Sequence, residues 1–235
     1  MIRKIEEMLS SVFTLQQFSA LLGVDSRYAA VLLSRMVADG DLVRIMRGKF
    51  GLPGSNILCV ASSIYPPSYV SLWKAYEYYG TTTQAPSMVD VICTDRSQTI
   101  AVELESGIYR IRFINTQPKE IYGIRKTMIE GKIAFIAEKE KAVIDGIRYA
   151  GRVPMDEVYT AITSGIEAKK AIEYARRTGK QSVMKRTGFL LEKAGYPCNP
   201  GDFTLSHTYV PLDQNGPRRG KHDGKWRIID NMVME

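Results

Sequence analysis

The sequence predicts an α+β protein in two domains, and three observations lead to this expectation. Three short helical patterns followed by a hairpin pattern precede residue 51. Residues 51–55 then combine glycine, proline and serine, which end regular structure. Beyond them, runs rich in β-branched residues give way to further helical patterns. We therefore expect a small domain over 1–54 and a larger α+β domain over 55–235 with a mixed or antiparallel sheet.

The small domain has the pattern of a helix-turn-helix. Thr14 is suited to cap a first helix, Gly23 permits a tight turn, and Asp25 or Ser26 is suited to cap a second helix. Residues 42–50 then read as strand, Arg-Gly turn and strand. A hairpin that follows the second helix is a wing, so the pattern predicts a winged helix-turn-helix. Its expected role is to bind double-stranded DNA; the alternative is a winged helix used for protein contacts.

The second helix, over 27–38, has an apolar stripe of Ala30, Leu33 and Val37, with Ala29 and Met36 beside it, that is expected to face inward. The opposite face supplies the candidate DNA-groove residues, which are Ser26, Arg27, Tyr28, Val31, Ser34 and Arg35. At the tip of the wing, Arg47 and Lys49 are placed for phosphate or minor-groove contacts.

The larger domain alternates strand and helix signals. An aromatic stripe predicts a helix over 68–79, and β-branched runs at 88–94, 99–105 and 108–114 predict neighbouring antiparallel strands. Further elements are expected as strands at 120–125 and 132–136 and as helices at 137–149, 155–163, 167–178 and 180–194.

The order of short motifs resembles the AbiE-type antitoxins, the AbiEi-like regulators of type IV toxin-antitoxin systems. The motifs are Phe-Thr-Leu at 13–15, the wing at 42–50, Ser-Leu-Trp-Lys-Ala at 71–75 with Tyr-Tyr-Gly at 78–80, and the segment at 137–145 around Glu-Lys-Ala. The resemblance covers residues 1–150 clearly and the rest loosely.

The resemblance implies an antitoxin that represses its own operon through promoter inverted repeats. It also implies that the carboxy-terminal domain counteracts a nucleotidyltransferase-like toxin. An alternative is a stand-alone transcription regulator whose second domain senses a ligand or dimerises; a toxin gene beside this one would favour the antitoxin.

Basic residues are concentrated in the carboxy-terminal third. Residues 165–227 contain 13 lysines and arginines against 6 acidic residues. We hypothesise a positive surface on the last helices that serves a second DNA contact or the antitoxic function, and the alternative is a solvated basic face. Its candidate residues are Lys169, Lys170, Arg176, Arg177, Lys180, Lys185 and Arg186.

Charged residues also occur in the segment at 137–145 and in the carboxy-terminal tail. Lys141 and Asp145 are spaced four residues apart, which predicts an ion pair on a solvated helix surface. The tail predicts a strand, a basic loop and a final strand, and this loop either contacts phosphate or is simply solvated. The basic residues of the tail are Arg218, Arg219, Lys221, Lys225 and Arg227.

The sequence contains few of the residues and motifs that are typical of enzymes. The chain has only two histidines, at 207 and 222, and neither a GxxxxGK[ST] loop nor a GxGxxG motif, so no cofactor or metal is expected. A further alternative is a Mg²⁺-dependent nuclease with carboxylates from Asp90, Glu103 and Glu105, although the lysine usual in such cores is missing.

The sequence also predicts a cytoplasmic protein with no membrane contact. The amino terminus lacks the apolar run of a signal peptide, and no apolar run approaches the length of a spanning helix. Three widely spaced cysteines are typical of reduced, buried thiols.

Overall fold

The computed structural model describes Ile5, residues 10–84 and residues 86–232. The helices, in chain order, are α1 (Leu15–Leu22), α2 (Ser26–Ala38), α3 (Ile57–Ser63), α4 (Trp73–Tyr78), α5 (Lys139–Arg148), α6 (Met155–Thr163), α7 (Ala168–Arg177) and α8 (Gln181–Lys193). The strands are β1 (Phe13–Thr14), β2 (Val43–Met46), β3 (Lys49–Gly51), β4 (Ser68–Ser71), β5 (Met88–Cys93), β6 (Gln98–Leu104), β7 (Gly107–Asn115), β8 (Ile124–Ile129), β9 (Lys132–Ala137), β10 (Val210–Pro211), β11 (Lys221–Asp223) and β12 (Ile228–Asp230). The first of the three expected helical patterns falls largely on residues outside the described ones.

The amino-terminal elements form a helix-turn-helix followed by a hairpin. Thr14 caps α1 in a reciprocal capping box with Gln17, and Gly23 ends α1 with a φ of 67°. This left-handed conformation is one that glycine adopts without strain. The hairpin of β2 and β3 joins β1 in a three-stranded sheet ordered β1-β3-β2. This is the arrangement expected of a winged helix-turn-helix.

A small apolar core holds these elements together. Phe18 of α1 lies at a ring distance of 6.1 Å from Phe13. On α2 the buried residues are Ala29, Leu33 and Met36. Leu33 is buried as expected, and Ala29 and Met36, expected beside the stripe, are buried in place of Ala30 and Val37. Ala30 is exposed.

A mixed six-stranded sheet follows, in the order β6-β7-β5-β4-β9-β8. β6 and β7 are antiparallel, as predicted, and form a hairpin across the turn at 105–106. β5 was expected to be antiparallel to its neighbours, but it pairs with β7 in parallel. The apolar runs could not reveal this order, because β6 lies on the far side of β7 rather than beside β5.

The segment 68–79 was predicted as one helix and is a strand and a helix. Ser68–Ser71 forms a fully buried strand that pairs with β9 in parallel through Val70 and Ile136. Leu72, with a φ of 55°, then reverses the chain before α4. The three- and four-residue aromatic spacing was thus a poor guide to local structure, because tertiary burial fixed the strand. Similarly, the strand predicted at 120–125 begins only at Ile124.

The helices of the carboxy-terminal half were predicted within about two residues at either end. They bury a second apolar core, to which α5 contributes Val143, Ile144 and Ile147. A three-stranded sheet ordered β10-β12-β11 follows. The tail prediction included β10 and β12 but not β11, which lies at the edge of this sheet.

The chain divides into two compact units. The first comprises 1–70, 86–121 and 125–136, and the second comprises 71–85, 122–124 and 137–235. Within the first unit, Ile45 of the wing packs into the same apolar cluster as Val60 and Val89. The domain boundary predicted after residue 54 stays a prediction.

Candidate nucleic-acid interface

The exposed face of α2 begins at a well-formed helix end. The Asp25 carboxylate accepts hydrogen bonds from the backbone N–H groups of Arg27 (2.9 Å) and Tyr28 (3.1 Å). This cap satisfies two N–H groups that no helical carbonyl can reach, and it fixes the direction of the first turn. Because Ala29, Leu33 and Met36 face the core, the other side of α2 is left open to solvent.

The predicted groove residues all lie on this open side. Tyr28 is 54% exposed and Val31 is 48% exposed. Tyr28 and Val31 lie three residues apart on α2, so these two exposed apolar side chains are neighbours on one face of the helix. The polar and charged members of the set are also exposed, and they are Ser26, Arg27, Ser34 and Arg35.

The wing carries one predicted cation at its tip. Gly48 has a φ of 76°, which suits the two-residue turn between β2 and β3. Arg47 precedes it in the same turn and is exposed. The guanidinium therefore projects from the end of the hairpin, where a phosphate contact was predicted.

Lys49 was predicted beside Arg47 but its side chain is directed elsewhere. Its ammonium donates a hydrogen bond to the backbone carbonyl of Ile64 and lies 4.5 Å from the centre of the Tyr65 ring. Burial lowers the pKa of Lys49, because the charged form loses contact with water. The expectation that Lys49 lies free at the tip is not met, since it belongs to a strand whose successive side chains point to opposite faces.

Arg44 is a basic residue that the sequence analysis did not single out. Its exposed side chain lines a cleft of about 350 Å³ between α2 and the wing, together with Ser34, Gly48 and Phe50. Within the described part of the chain Arg44 forms no salt bridge. The sequence did contain a signal for Arg44. Side chains alternate between the two faces of a strand, so a buried Ile45 places Arg44 on the exposed face of β2, where it pairs with Phe50 of β3.

The amino-terminal segment was compared with known protein families. Residues 1–53 match the family described as "Transcriptional regulator, AbiEi antitoxin". No curated protein matches the chain. The matched AbiEi segment contains the helix-turn-helix and both strands of the wing, so the predicted resemblance is confirmed there.

Beyond the AbiEi segment, the predicted basic surface is only partly exposed. Lys169, Arg176, Arg177 and Lys180 are exposed. Arg177 lies 4.1 Å from the centre of the Tyr122 ring, and Arg176 donates to the carbonyl of Asp202. These contacts leave both guanidinium groups at the surface.

Three other members of that predicted surface have internal partners. Lys170 pairs with Glu138 at 2.9 Å, and the hydrogen bond to this carboxylate raises the Lys170 pKa. Lys185 is fully buried and donates to Ser206 Oγ at 2.9 Å, while Arg186 is 2% exposed and donates through Nε and Nη2 to the carbonyl of Pro211. Lys185 and Arg186 are therefore not part of a surface, which corrects the prediction. Their spacing on α8 could not show that the tail covers them.

The Lys141 and Asp145 pair was expected on a solvated helix face, and this was wrong. Their side chains are 1% and 0% exposed. Asp145 also accepts a hydrogen bond of 2.8 Å from Ser71, and the Lys141 ammonium lies 4.9 Å from the Tyr122 ring centre. The pair is therefore part of the interior, where its contacts with Ser71 and Tyr122 help to position α5.

The carboxylates considered for a nuclease do not converge. Asp90 is fully buried and held by the Arg112 guanidinium at 2.5 and 3.0 Å. Arg112 of β7 lies opposite Asp90 of β5 on one side and opposite Thr99 of β6 on the other. Thr99 is four residues from Glu103 along β6. Four residues of strand span about 13 Å, so Glu103 cannot share a metal ion with Asp90. Arg112 also neutralises the charge that Mg²⁺ would need.

The described residues contain neither a candidate metal cluster nor a candidate membrane-spanning helix. No three histidine, cysteine or acidic side chains there lie close enough to hold a metal ion. No helix in the same part of the chain is long and apolar enough to cross a membrane. The three cysteines are buried and unpaired, and burial raises the pKa of both Cys59 and Cys198 to about 11.

Proposed function

We propose that this chain is a DNA-binding antitoxin that represses its own toxin-antitoxin operon and counteracts a nucleotidyltransferase-like toxin. The observation that carries the DNA-binding part is the open face of α2, where Tyr28 and Val31 are about half exposed beside Arg27 and Arg35. The match of residues 1–53 to AbiEi regulators supports the antitoxin part.

The two surfaces of the winged helix have different roles in this proposal. Side chains of α2 enter the major groove and read base edges, where each good bidentate contact discriminates by about 1–3 kcal/mol. Arg47 and Arg44 bind phosphates, which adds affinity but little sequence preference. Lys49 does not take part, because its ammonium is bound to Ile64.

Binding to inverted repeats requires two copies of α2 on one DNA molecule. Each half-site then receives one recognition helix, and half-sites are separated by about one helical turn or a multiple of it. The promoter repeats therefore determine the spacing of the two copies.

The antitoxic role is assigned to residues beyond the winged helix. The exposed cations Lys169, Arg176, Arg177 and Lys180 form the remaining basic surface on α7 and at the start of α8. A surface of this charge suits a second DNA contact or an acidic face of the toxin. Lys185 and Arg186 are left out, because both are buried.

A reporter under the upstream promoter tests the repressor role. We expect the wild-type chain to repress it and the Arg27→Ala/Arg35→Ala variant to lose most repression. Lys119→Ala/Lys126→Ala removes the same charge from exposed positions outside the winged helix and serves as the control. Equal repression by all three proteins would refute the assignment of α2.

Rescue of growth from a co-expressed neighbouring nucleotidyltransferase-like toxin tests the antitoxic role separately. The Arg27→Ala/Arg35→Ala variant should still rescue growth, since the toxin is counteracted by other residues. The Lys169→Ala/Arg176→Ala/Arg177→Ala/Lys180→Ala variant should rescue poorly while folding normally. Full rescue by this second variant, with unchanged repression, would remove the basic surface from the proposal.

A further inference from the structure

The loop between β10 and β11 holds basic side chains in a defined position. Asn231 fixes its base: the Asn231 side chain accepts from the backbone N–H of Asp213 (2.8 Å) and donates to the carbonyls of Asp213 (2.9 Å) and Pro217 (2.8 Å). At the other end, Gly220 packs so closely that an added Cβ would lie 2.2 Å from the Asp230 carbonyl oxygen. The exposed residues Arg218 and Arg219 lie between these two attachments.

The acidic side chains of this region all have internal partners. Asp230 pairs with Lys193 at 3.2 Å, and Asp223 accepts from the backbone N–H of Trp226 at 2.7 Å. Glu192 accepts from the Trp226 indole at 2.5 Å and pairs with Lys225. Lys225 is thereby neutralised, unlike its neighbours.

Three cations of the loop have no such partner. Within the described residues, Arg218, Arg219 and Lys221 form no salt bridge, and all three are exposed. Asp213 and Asp223 accept hydrogen bonds from backbone N–H groups and keep their negative charge. The local charge is positive because residues 209–231 contain five lysines and arginines against three aspartates. A concentration of unpaired cations attracts a polyanion.

An aromatic pair lies on the same small sheet. The rings of Tyr209 and His222 are 5.0 Å apart, and the Arg227 guanidinium lies 5.6 Å from the Tyr209 ring centre. His222 is exposed on the edge strand β11, so its ring is accessible from solvent. Trp226, fully buried, anchors this sheet against α8, where an added Cβ on Gly188 would overlap its ring.

We propose that the carboxy-terminal sheet binds single-stranded nucleic acid. Arg218, Arg219 and Lys221 bind phosphates, and an unpaired base stacks on His222. Cations beside an accessible ring match the way proteins bind single strands without reading their sequence. An acidic protein would use the cations but not the ring. This site is distinct from α2 and does not depend on the duplex-binding role proposed above.

The test is the anisotropy of a labelled single strand of about 12 nucleotides, as RNA and as DNA, across a salt series. The protein is the full chain carrying Arg27→Ala/Arg35→Ala/Arg44→Ala/Arg47→Ala, which removes every nucleic-acid contact proposed for a cation of the winged helix. Adding Arg218→Ala/Arg219→Ala/Lys221→Ala should weaken binding about tenfold and reduce the salt slope by about 2. The matched control, Arg110→Ala/Arg125→Ala/Lys126→Ala, removes three exposed cations elsewhere and should change affinity less than about twofold.

A second comparison tests the stacking contact. His222→Ala should weaken binding several-fold for a strand with bases but not for an abasic strand, and His222→Phe should retain affinity. Equal losses in the two cationic variants, an equal effect of His222→Ala on both strands, or tighter binding of polyglutamate than of the oligonucleotide would overturn the proposal. Duplex binding is measured separately for Arg218→Ala/Arg219→Ala/Lys221→Ala in a chain with an unmodified winged helix. Duplex binding that this variant retains supports the repressor assignment, whatever the outcome for single strands.

Discussion

The Lys49 ammonium donates a hydrogen bond to the backbone carbonyl of Ile64, which joins the wing to the segment after α3. The neighbouring Tyr65 ring lies over the same ammonium. A basic residue of the winged helix thus supports the hairpin from behind, while Arg47 projects from its tip. Substitutions of Lys49 and Arg47 should therefore have different effects, the first on stability and the second on DNA binding.

Lys49→Ala and Arg47→Ala should differ in their effect on duplex binding. Arg47→Ala removes a phosphate contact, so the salt slope of binding should fall by about 0.9 with little change in melting temperature. Lys49→Ala should lower the melting temperature and leave the slope unchanged. Binding isotherms at several salt concentrations and thermal melts measure both. A reduced slope in Lys49→Ala would show that its ammonium reaches DNA.

Arg44→Ala should weaken binding to specific and scrambled duplexes by the same factor. Its position in the cleft between α2 and the wing favours a phosphate contact, which carries no sequence preference. The ratio of the two dissociation constants should therefore stay at the wild-type value. A fall in that ratio would instead assign base reading to Arg44.

Ile45→Ala should destabilise the protein by about 2–5 kcal/mol, because Ile45 is 3% exposed and packs with Val60 and Val89. Ile108→Ala makes the same chemical change at a side chain that is 68% exposed and should cost far less. Urea denaturation measures the free energy of unfolding of both variants. Similar values would contradict the shared core of wing and sheet.

Asp145→Asn should destabilise the second unit by about 3–5 kcal/mol, since it leaves the Lys141 ammonium buried without its counter-charge. Asp95→Asn is the matched control, because the Asp95 and Arg96 side chains are 43% and 57% exposed. Such surface pairs contribute at most about 1 kcal/mol. Comparable losses in the two variants would argue against burial of the Lys141 pair.

Stability should fall between about pH 9 and pH 11 partly because of Cys59. Burial raises the folded-state pKa of this thiol to about 11 from the ordinary value of 9.0. In that window the unfolded chain releases a proton that the folded chain retains, so unfolding becomes more favourable as pH rises. Cys59→Ala should show a shallower decline in the free energy of unfolding. An unchanged decline would mean that the thiol titrates alike in both states.

The winged helix was predictable because its signals are local. Thr14 and Asp25 cap their helices through contacts within three residues, and Gly23 ends α1 by its own backbone preference. The exposed set on α2 followed from helical periodicity alone. The orientation of Lys49 did not, because its partner Ile64 lies 15 residues away.

The remaining errors share that cause. Lys185 and Arg186 look solvated in the sequence, yet the segment that includes Thr208 and Pro211 folds over them. Lys141 and Asp145 have surface spacing, but Ser71 and Tyr122 enclose them. Burial of a charged side chain depends on distant chain segments, which periodicity does not report.

The central claim is that α2 reads a DNA sequence, and the most direct test is a ratio of dissociation constants. We would measure binding to the upstream promoter duplex and to a scrambled duplex for the wild type, Arg27→Ala/Arg35→Ala and the control Lys119→Ala/Lys126→Ala. We expect a strong promoter preference in the wild type and the control, and a preference close to unity in the α2 variant. A wild type with no preference, or an α2 variant that keeps it, would show that α2 does not read the DNA sequence.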